Sequence, residues 1–272
     1  MDARRLSDEA IAHARSYDEV ADAYERVNAP LLFDLPARAL VGYAGITCGQ
    51  RVLDVGCGTG VVSHAAAAVA ANVVSLDPSL PMLIAAGRGG VSHLVSGALP
   101  HLPFPDGVFD AVLSAFVMTH VDDPEAALRD MRRVLVSGGR VALSAWSPSD
   151  DPYSAAWTGV VNEFVTPGQV ADAAERVLPG EPRFSREDGL SSLLAAGAFR
   201  DVHAETRTFE FAMSVEEMIA AREVCASGRA LRVLLSDTEW NAYHARAHDV
   251  LGKKFPGGIR YLRRVFFAAG HT

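Results

Sequence analysis

The 272-residue chain predicts an α/β fold, a single domain built on a mostly parallel sheet. Three observations predict it. First, Arg51-Val52-Leu53-Asp54-Val55 reads as a short buried strand that runs straight into Gly56-Cys57-Gly58-Thr59-Gly60. Glycine has no Cβ and accepts positive φ, so this run permits a tight turn. An apolar, alanine-rich helix over 61–71 follows. Second, 72–77 is another strand, and it ends in an acid, Asp77. Third, strand and helix patterns keep alternating as far as Trp146, as βαβ units do. Hydrophobic residues are 49% of the chain, enough for an ordinary globular core.

The elements follow in order. Before the first strand, Ser7 is placed to cap a helix through Ile11 and Ala14. Tyr17, Val20, Ala21 and Tyr24 then share one helical face. Pro30 is expected to interrupt this helix, which resumes over 31–43. After the second strand Ser79 is an N-cap, with Pro81 in the first turn of a helix reaching about Gly87. A third strand is expected over 93–97. Pro105-Asp106-Gly107 is a turn, and the fourth strand, 109–114, runs into a loop over 115–121 that carries His120. Asp123 is the N-cap and Pro124 the first residue of a helix through Leu135. Gly138-Gly139 turns the chain into a fifth strand over 141–146. Helices are expected over 155–165, 170–177 and 185–196, and a strand over 202–211. Ser214 caps a helix through Val224. A helix over 238–254 and a final strand over 261–268 complete the chain.

The loop spacing narrows the ligand. It is G-x-G-x-G, not the dinucleotide G-x-G-x-x-G, and no Walker G-x-x-x-x-G-K-[ST] occurs. Asp54 beside the loop would repel a pyrophosphate and would suit a ligand carrying an ammonium and a sulfonium. Asp77 can accept from both ribose hydroxyls of an adenosine, a feature shared with NAD sites.

On these residues the chain resembles the class I S-adenosylmethionine (SAM) methyltransferases, of the small-molecule, UbiE-like type. Residues 52–60 resemble motif I of that family. Residues 97–104 are similar to its G-D-A-x-x-L-P-F segment, and 135–139 to its L-K-P-G-G turn. Residues 17–24 are similar to its Y-D-x-x-A-x-x-Y segment. The resemblance covers about residues 45–146. It implies a Rossmann-like, seven-stranded, mostly parallel sheet with the last strand antiparallel, plus a helical cap. The implied cofactor is S-adenosyl-L-methionine, with S-adenosyl-L-homocysteine as product. The implied cofactor contacts are Tyr24, Asp54, Gly56, Gly58, Gly60, Asp77, Pro78, Met82, Ala98, Leu99 and Ala115. Tyr24 and Met82 read equally as packing residues. Ala98 departs from the family, whose aspartate there accepts from the adenine amino group. Such a charge-assisted hydrogen bond is worth about 1.5–3 kcal/mol. His120 is the candidate general base; the alternative is a loop-closing histidine bonded to Asp122 or Asp123.

The expected organisation is a helical lid over 1–46 and a SAM-binding core over 47–146. A helical cap insertion over 147–200 follows, and 201–272 adds strands and cap helices to the same domain. The expected activity is methyl transfer to an O, N or C atom of a small, largely apolar metabolite. Trp146, Tyr153 and Trp157 are aromatic candidates for the acceptor wall. The alternatives are a SAM-binding protein without methyl transfer, for example a cyclase, and an NAD(P)-dependent oxidoreductase. A net charge of −8 argues against a nucleic-acid partner. Cys48, Cys57 and Cys225 form neither a disulfide framework nor a metal spacing, which fits a reducing cytoplasm. Met1 to Leu6 is charged with no apolar run behind it, so no signal peptide is expected. No uncharged run reaches the ~18 residues of a membrane span. His244 and His248 read as exposed helix residues rather than ligands, and no metal is expected. Arg260, Arg263 and Arg264 read as a solvated strand edge. Asp150-Asp151-Pro152-Tyr153 is treated as a chance likeness to an amino-methyltransferase motif. Oligomeric state, monomer or homodimer, is open.

Overall fold

The computed structural model describes residues 17–148, 151–178 and 180–272. The expected Ser7-capped helix lies outside the described residues. Seven strands form one sheet in the order β3-β2-β1-β4-β5-β7-β6. These are β1 (Arg51–Val55), β2 (Asn72–Asp77), β3 (Leu94–Ser96), β4 (Phe109–Ala115), β5 (Leu135–Trp146), β6 (Arg200–Met213) and β7 (Ile259–His271). Every pairing among β1 to β5 is parallel, while β7 runs antiparallel to both of its neighbours. The chain leaves β1 toward β2 on one side and returns to β4 on the other. The carboxyl end of β1 is therefore the switch point where open α/β sheets bind ligands.

Period-two alternation divides the sheet between two core layers. On β4, Ala111 and Leu113 pack with Leu40, Val62 and Ala66 on one side. Val112 packs with Leu128, Met131 and Leu193 on the other. A third cluster adjoins the first of these layers, sharing Val61, Phe116, Trp146 and Phe209 with it. It joins Phe211, Met213 and Ile259 from the far strands to Trp157, Ile219, Leu231 and Tyr243 from helices that precede and interrupt the β6–β7 pair.

The local signals for helix starts were accurate. Ser79 accepts from Met82 N–H at 3.3 Å and Asp123 from Ala126 N–H at 2.8 Å. Ser214 forms a capping box with Glu217. Asp151 accepts from both Ser154 N–H and its hydroxyl and so caps the helix Pro152–Val161. Two expectations are corrected. Pro30 does not interrupt the chain's helix: it sits inside a π-helical stretch, Tyr24–Phe33, which continues directly into Asp34–Tyr43. The wider ladder, in which Asp34 N–H donates to Ala29 C=O, absorbs the missing proline donor. An additional helix, Ala226–Leu234, follows Val224 directly. No helix among the described residues is long and apolar enough to cross a membrane.

Candidate cofactor and acceptor site

The site is built on the glycine turn. Gly56, Gly58 and Gly60 have φ of 70°, 53° and 93°, so this path is open to glycine at little cost. Contact restricts two of them further. A Cβ on Gly56 would meet Val117 Cγ2 at 2.4 Å, and one on Gly60 would meet Val91 Cγ2 at 2.6 Å. The turn uses its own donors. Gly56 and Cys57 N–H both donate to Leu76 C=O, at 2.8 and 3.0 Å. Gly58 N–H donates to Asp77 at 2.8 Å, and Gly60 N–H to Cys57 C=O at 2.8 Å. Those four N–H groups therefore do not form the open nest that a pyrophosphate needs.

Two buried carboxylates flank the turn. Asp77 accepts from Gly58 and Ser79 N–H, the latter at 2.9 Å, one on each oxygen. Each oxygen keeps a lone pair, so the carboxylate can still take a pair of hydroxyls. Burial pushes its carboxyl up to about 6, against the pull of those two N–H groups. Asp54, on β1 two residues before the turn, is fully buried. One oxygen accepts from Ser63 Oγ at 2.6 Å; the other has no partner. Burial pushes Asp54 up to about 7. The Ser63 hydrogen bond opposes this, and the Asp77 charge adds to it.

The other expected contacts are distributed around this pair. Met82 is buried at the start of the helix after β2, and Pro78 is half-buried between Asp77 and the Ser79 cap. Ala98 and Leu99 are buried just beyond β3, and Gly97 N–H donates to Asp77 C=O at 3.2 Å. Ala115 ends β4 and is followed by Phe116 at φ 62°. The N-terminal segment reaches the same place. Ser79 Oγ donates to Asp18 at 2.6 Å. Tyr17 OH and His120 Nε2 share a hydrogen bond of 3.1 Å. Tyr24 packs edge-on to Tyr17 and stacks on Phe33, with ring centroids 5.4 Å apart. His120 thus gains a tyrosine partner 103 residues away, which no sequence signal announced.

Phe116, in the segment that carries His120, belongs to an aromatic cluster. Phe116 stacks on Trp146 at 4.5 Å, and Phe33 meets both edge-on. Tyr153 and Trp157 are buried in the third cluster, which includes Phe33 and against which Phe116 and Trp146 pack; there Trp157 Nε1–H donates to Tyr243 OH at 2.9 Å. Arg263 leaves the expected solvated edge: its guanidinium lies 4.1 Å over the Trp146 ring. Arg260 stays outside, paired with Glu210. His244 bonds Glu223 at 2.8 Å, and among the described residues no group of three side chains could hold a metal.

The turn, the buried acids and the sheet order define a nucleoside-binding α/β domain of the methyltransferase type. A family model described as "Methyltransferase domain" matches residues 53–143. A demethylmenaquinone methyltransferase from Clavibacter sepedonicus is 32% identical over 206 residues, covering 71% of this chain and 84% of that protein. The chain belongs to the class I SAM-dependent methyltransferases of the UbiE-like type. A second demethylmenaquinone methyltransferase, from Renibacterium salmoninarum, is 36% identical over 150 residues, 53% of this chain and 63% of that protein. Matches to several such relatives span about three fifths of their length. A solved putative type II methyltransferase from Anaeromyxobacter dehalogenans shares the fold, with TM-score 0.60, 20% identity and coverage of 86% and 95%.

Proposed function

We propose that this chain transfers the methyl group of SAM to an O, N or C atom of a small, largely apolar metabolite. One observation supports it most: the glycine turn bonds its own N–H groups internally and sits between two buried carboxylates. That environment suits a cation and a ribose better than a pyrophosphate. Asp77 would hold the ribose hydroxyls, and Asp54 would supply negative potential from β1, two residues before the turn. Gly56 and Gly60 keep the backbone close, while Tyr24, Met82, Ala98, Leu99 and Ala115 would enclose the nucleoside and methionine portions. Bound there, the cofactor supplies an electrophilic methyl group.

The chain's own task is then to align the acceptor in a dry space, so proximity is the main catalytic contribution. The aromatic wall of Phe33, Phe116 and Trp146 suits an apolar acceptor. His120, oriented by Tyr17, would accept the proton released by a hydroxyl or amine acceptor. The free Cys48, Cys57 and Cys225 fit a reducing compartment, the cytoplasm, and the net charge of −8 fits a small-molecule rather than a nucleic-acid partner. Titration calorimetry with SAM and with NAD tests the assignment. SAM is expected to bind and NAD is not; tight NAD binding without SAM binding would overturn it.

A further inference from the structure

We propose that the acceptor carries an oxyanion, a carboxylate or a phosphate, and that Arg229 holds it by a two-point hydrogen bond, with the positive charge of Arg263 in support. This rests on the methyl-transfer reading and narrows its substrate class to a small acid with an apolar body.

Arg229 lies on the helix Ala226–Leu234 and is 7% exposed. Its Nη1 donates to Val224 C=O at 2.7 Å, and its guanidinium sits 3.9 Å over the Tyr17 ring. Its Nε and Nη2 are buried, neither reaches a partner at hydrogen-bonding geometry, and among the described residues the only side chain that the guanidinium acts on by hydrogen bonding and charge is the weakly polar Tyr17 phenol. Those two nitrogens point their N–H bonds along one edge of the guanidinium. That edge is the fork that carboxylate and phosphate take in two parallel bonds. Burying it with nothing opposite is costly, because a desolvated cation needs a counter-charge.

Two other donors are in the same condition: Arg263 Nε and Tyr153 OH are buried without partners. Asn28 Nδ2 donates to Cys225 Sγ at 3.4 Å, where the helix that carries Arg229 begins. A third guanidinium, Arg222, donates to Ser154 Oγ at 2.5 Å. Burial and the like charge of Arg222 both push Arg263 below the ordinary guanidinium range. Among the described residues no carboxylate forms an ion pair with Arg222, Arg229 or Arg263. Asp151 and Glu181 act on Arg263 only at longer range. The acceptor side is therefore cationic and short of an anion.

The contact of Arg229 with Tyr17, which shares a hydrogen bond with the candidate base His120, favours the acceptor over the cofactor. β7, which carries Arg263, is three strands away from β1 and its glycine turn, roughly 14 Å at the usual strand spacing. Arg222 and Arg229 come from the insertion between β6 and β7. Phe116 and Trp146 lie between the two regions, so an apolar body can bridge from the methyl donor to the fork.

Full-length protein loaded with S-adenosylhomocysteine tests this by NMR of the arginine Nε–H resonances. The probes are benzoate and inorganic phosphate, with benzamide as the neutral match. Benzoate or phosphate should shift the Arg229 and Arg263 resonances saturably, and benzamide should not. Which anion saturates the signal tells carboxylate from phosphate. Arg229→Gln should weaken that binding at least tenfold, while the surface variant Arg260→Gln leaves it unchanged. If Arg229→Gln fails to fold, Arg263→Gln is expected to weaken the anion in the same way. No saturable shift with either anion, or an equal response to benzamide, overturns the proposal. So does a tenfold loss of S-adenosylhomocysteine affinity in Arg229→Gln with no response to anions, which would assign the fork to the cofactor's own carboxylate. Failure of the wild-type chain to bind S-adenosylhomocysteine would instead sink the methyltransferase reading, and the anion titration would still decide the fork.

Discussion

Cofactor affinity should rise steeply between pH 6 and pH 8, because Asp54 must lose a proton to attract the cation and Asp77 must lose one to accept both ribose hydroxyls. Burial holds Asp54 near 7 and Asp77 near 6, both well above an ordinary aspartate. A raised carboxyl means that the ligand-free fold favours the protonated form. The stability these two groups contribute is complete below their unfolded values near 4, and it is lost as pH rises through about 6 to 7. A sulfonium and an ammonium favour the ionised form of Asp54, and two ribose hydroxyls that of Asp77, so binding runs the opposite way. Asp54 goes from about one tenth ionised at pH 6 to about nine tenths at pH 8, and Asp77 from about half to nearly all. If both must be ionised, SAM affinity rises about twentyfold over that interval, and binding near pH 6 releases more than one proton. Titration calorimetry in two buffers of different ionisation heat measures both quantities. Asp54→Asn should flatten most of the dependence. An affinity that changes less than about threefold, with no proton release, would refute the argument that these buried acids face the cofactor.

Asp77→Ala should weaken SAM binding at least tenfold, about 1.4 kcal/mol, and should also destabilise the chain, since Gly58 and Ser79 N–H lose their acceptor; calorimetry and urea unfolding read the two effects. Gly60→Ala should cost about 2–4 kcal/mol by urea unfolding, from its φ of 93° and the 2.6 Å approach to Val91. Gly58→Ala meets nothing within 4 Å and should cost only the backbone strain, about 1–2 kcal/mol. His120→Ala should lower kcat at least about a hundredfold while SAM affinity stays within about threefold; a drop below tenfold would leave His120 as no more than Tyr17's hydrogen-bond partner.

Where the chemistry is local, the sequence was sufficient. The bounds of β1 and β2, the glycine turn and the caps at Ser79, Asp123 and Ser214 follow from neighbours within four residues, and the structure has them at the expected positions. The turn and its two acids could be read for the same reason: strand, glycine and carboxylate are contiguous. Pro30 was misjudged because a proline's effect depends on which ladder surrounds it, and a π-helical ladder is set by packing. The helix Ala226–Leu234 was missed for a related reason. Gly228 lowers its propensity, and what fixes it is burial of Leu231 in the third cluster.

The sequence by itself therefore determined the class of fold and the glycine turn with its two acids. Only the tertiary structure decided which distant side chains meet around them. His120 meets Tyr17 across 103 residues. Asp54 is held by Ser63, on the helix that follows the turn, which donates its hydroxyl. Arg260 and Arg264 are exposed while Arg263 turns inward, as strand alternation allows, but which face is inward depends on Trp146 lying against it from β5. The physical reason is range. Turn geometry and capping act over a few bonds, whereas burial and the electrostatics it amplifies act between residues that only the finished sheet brings together.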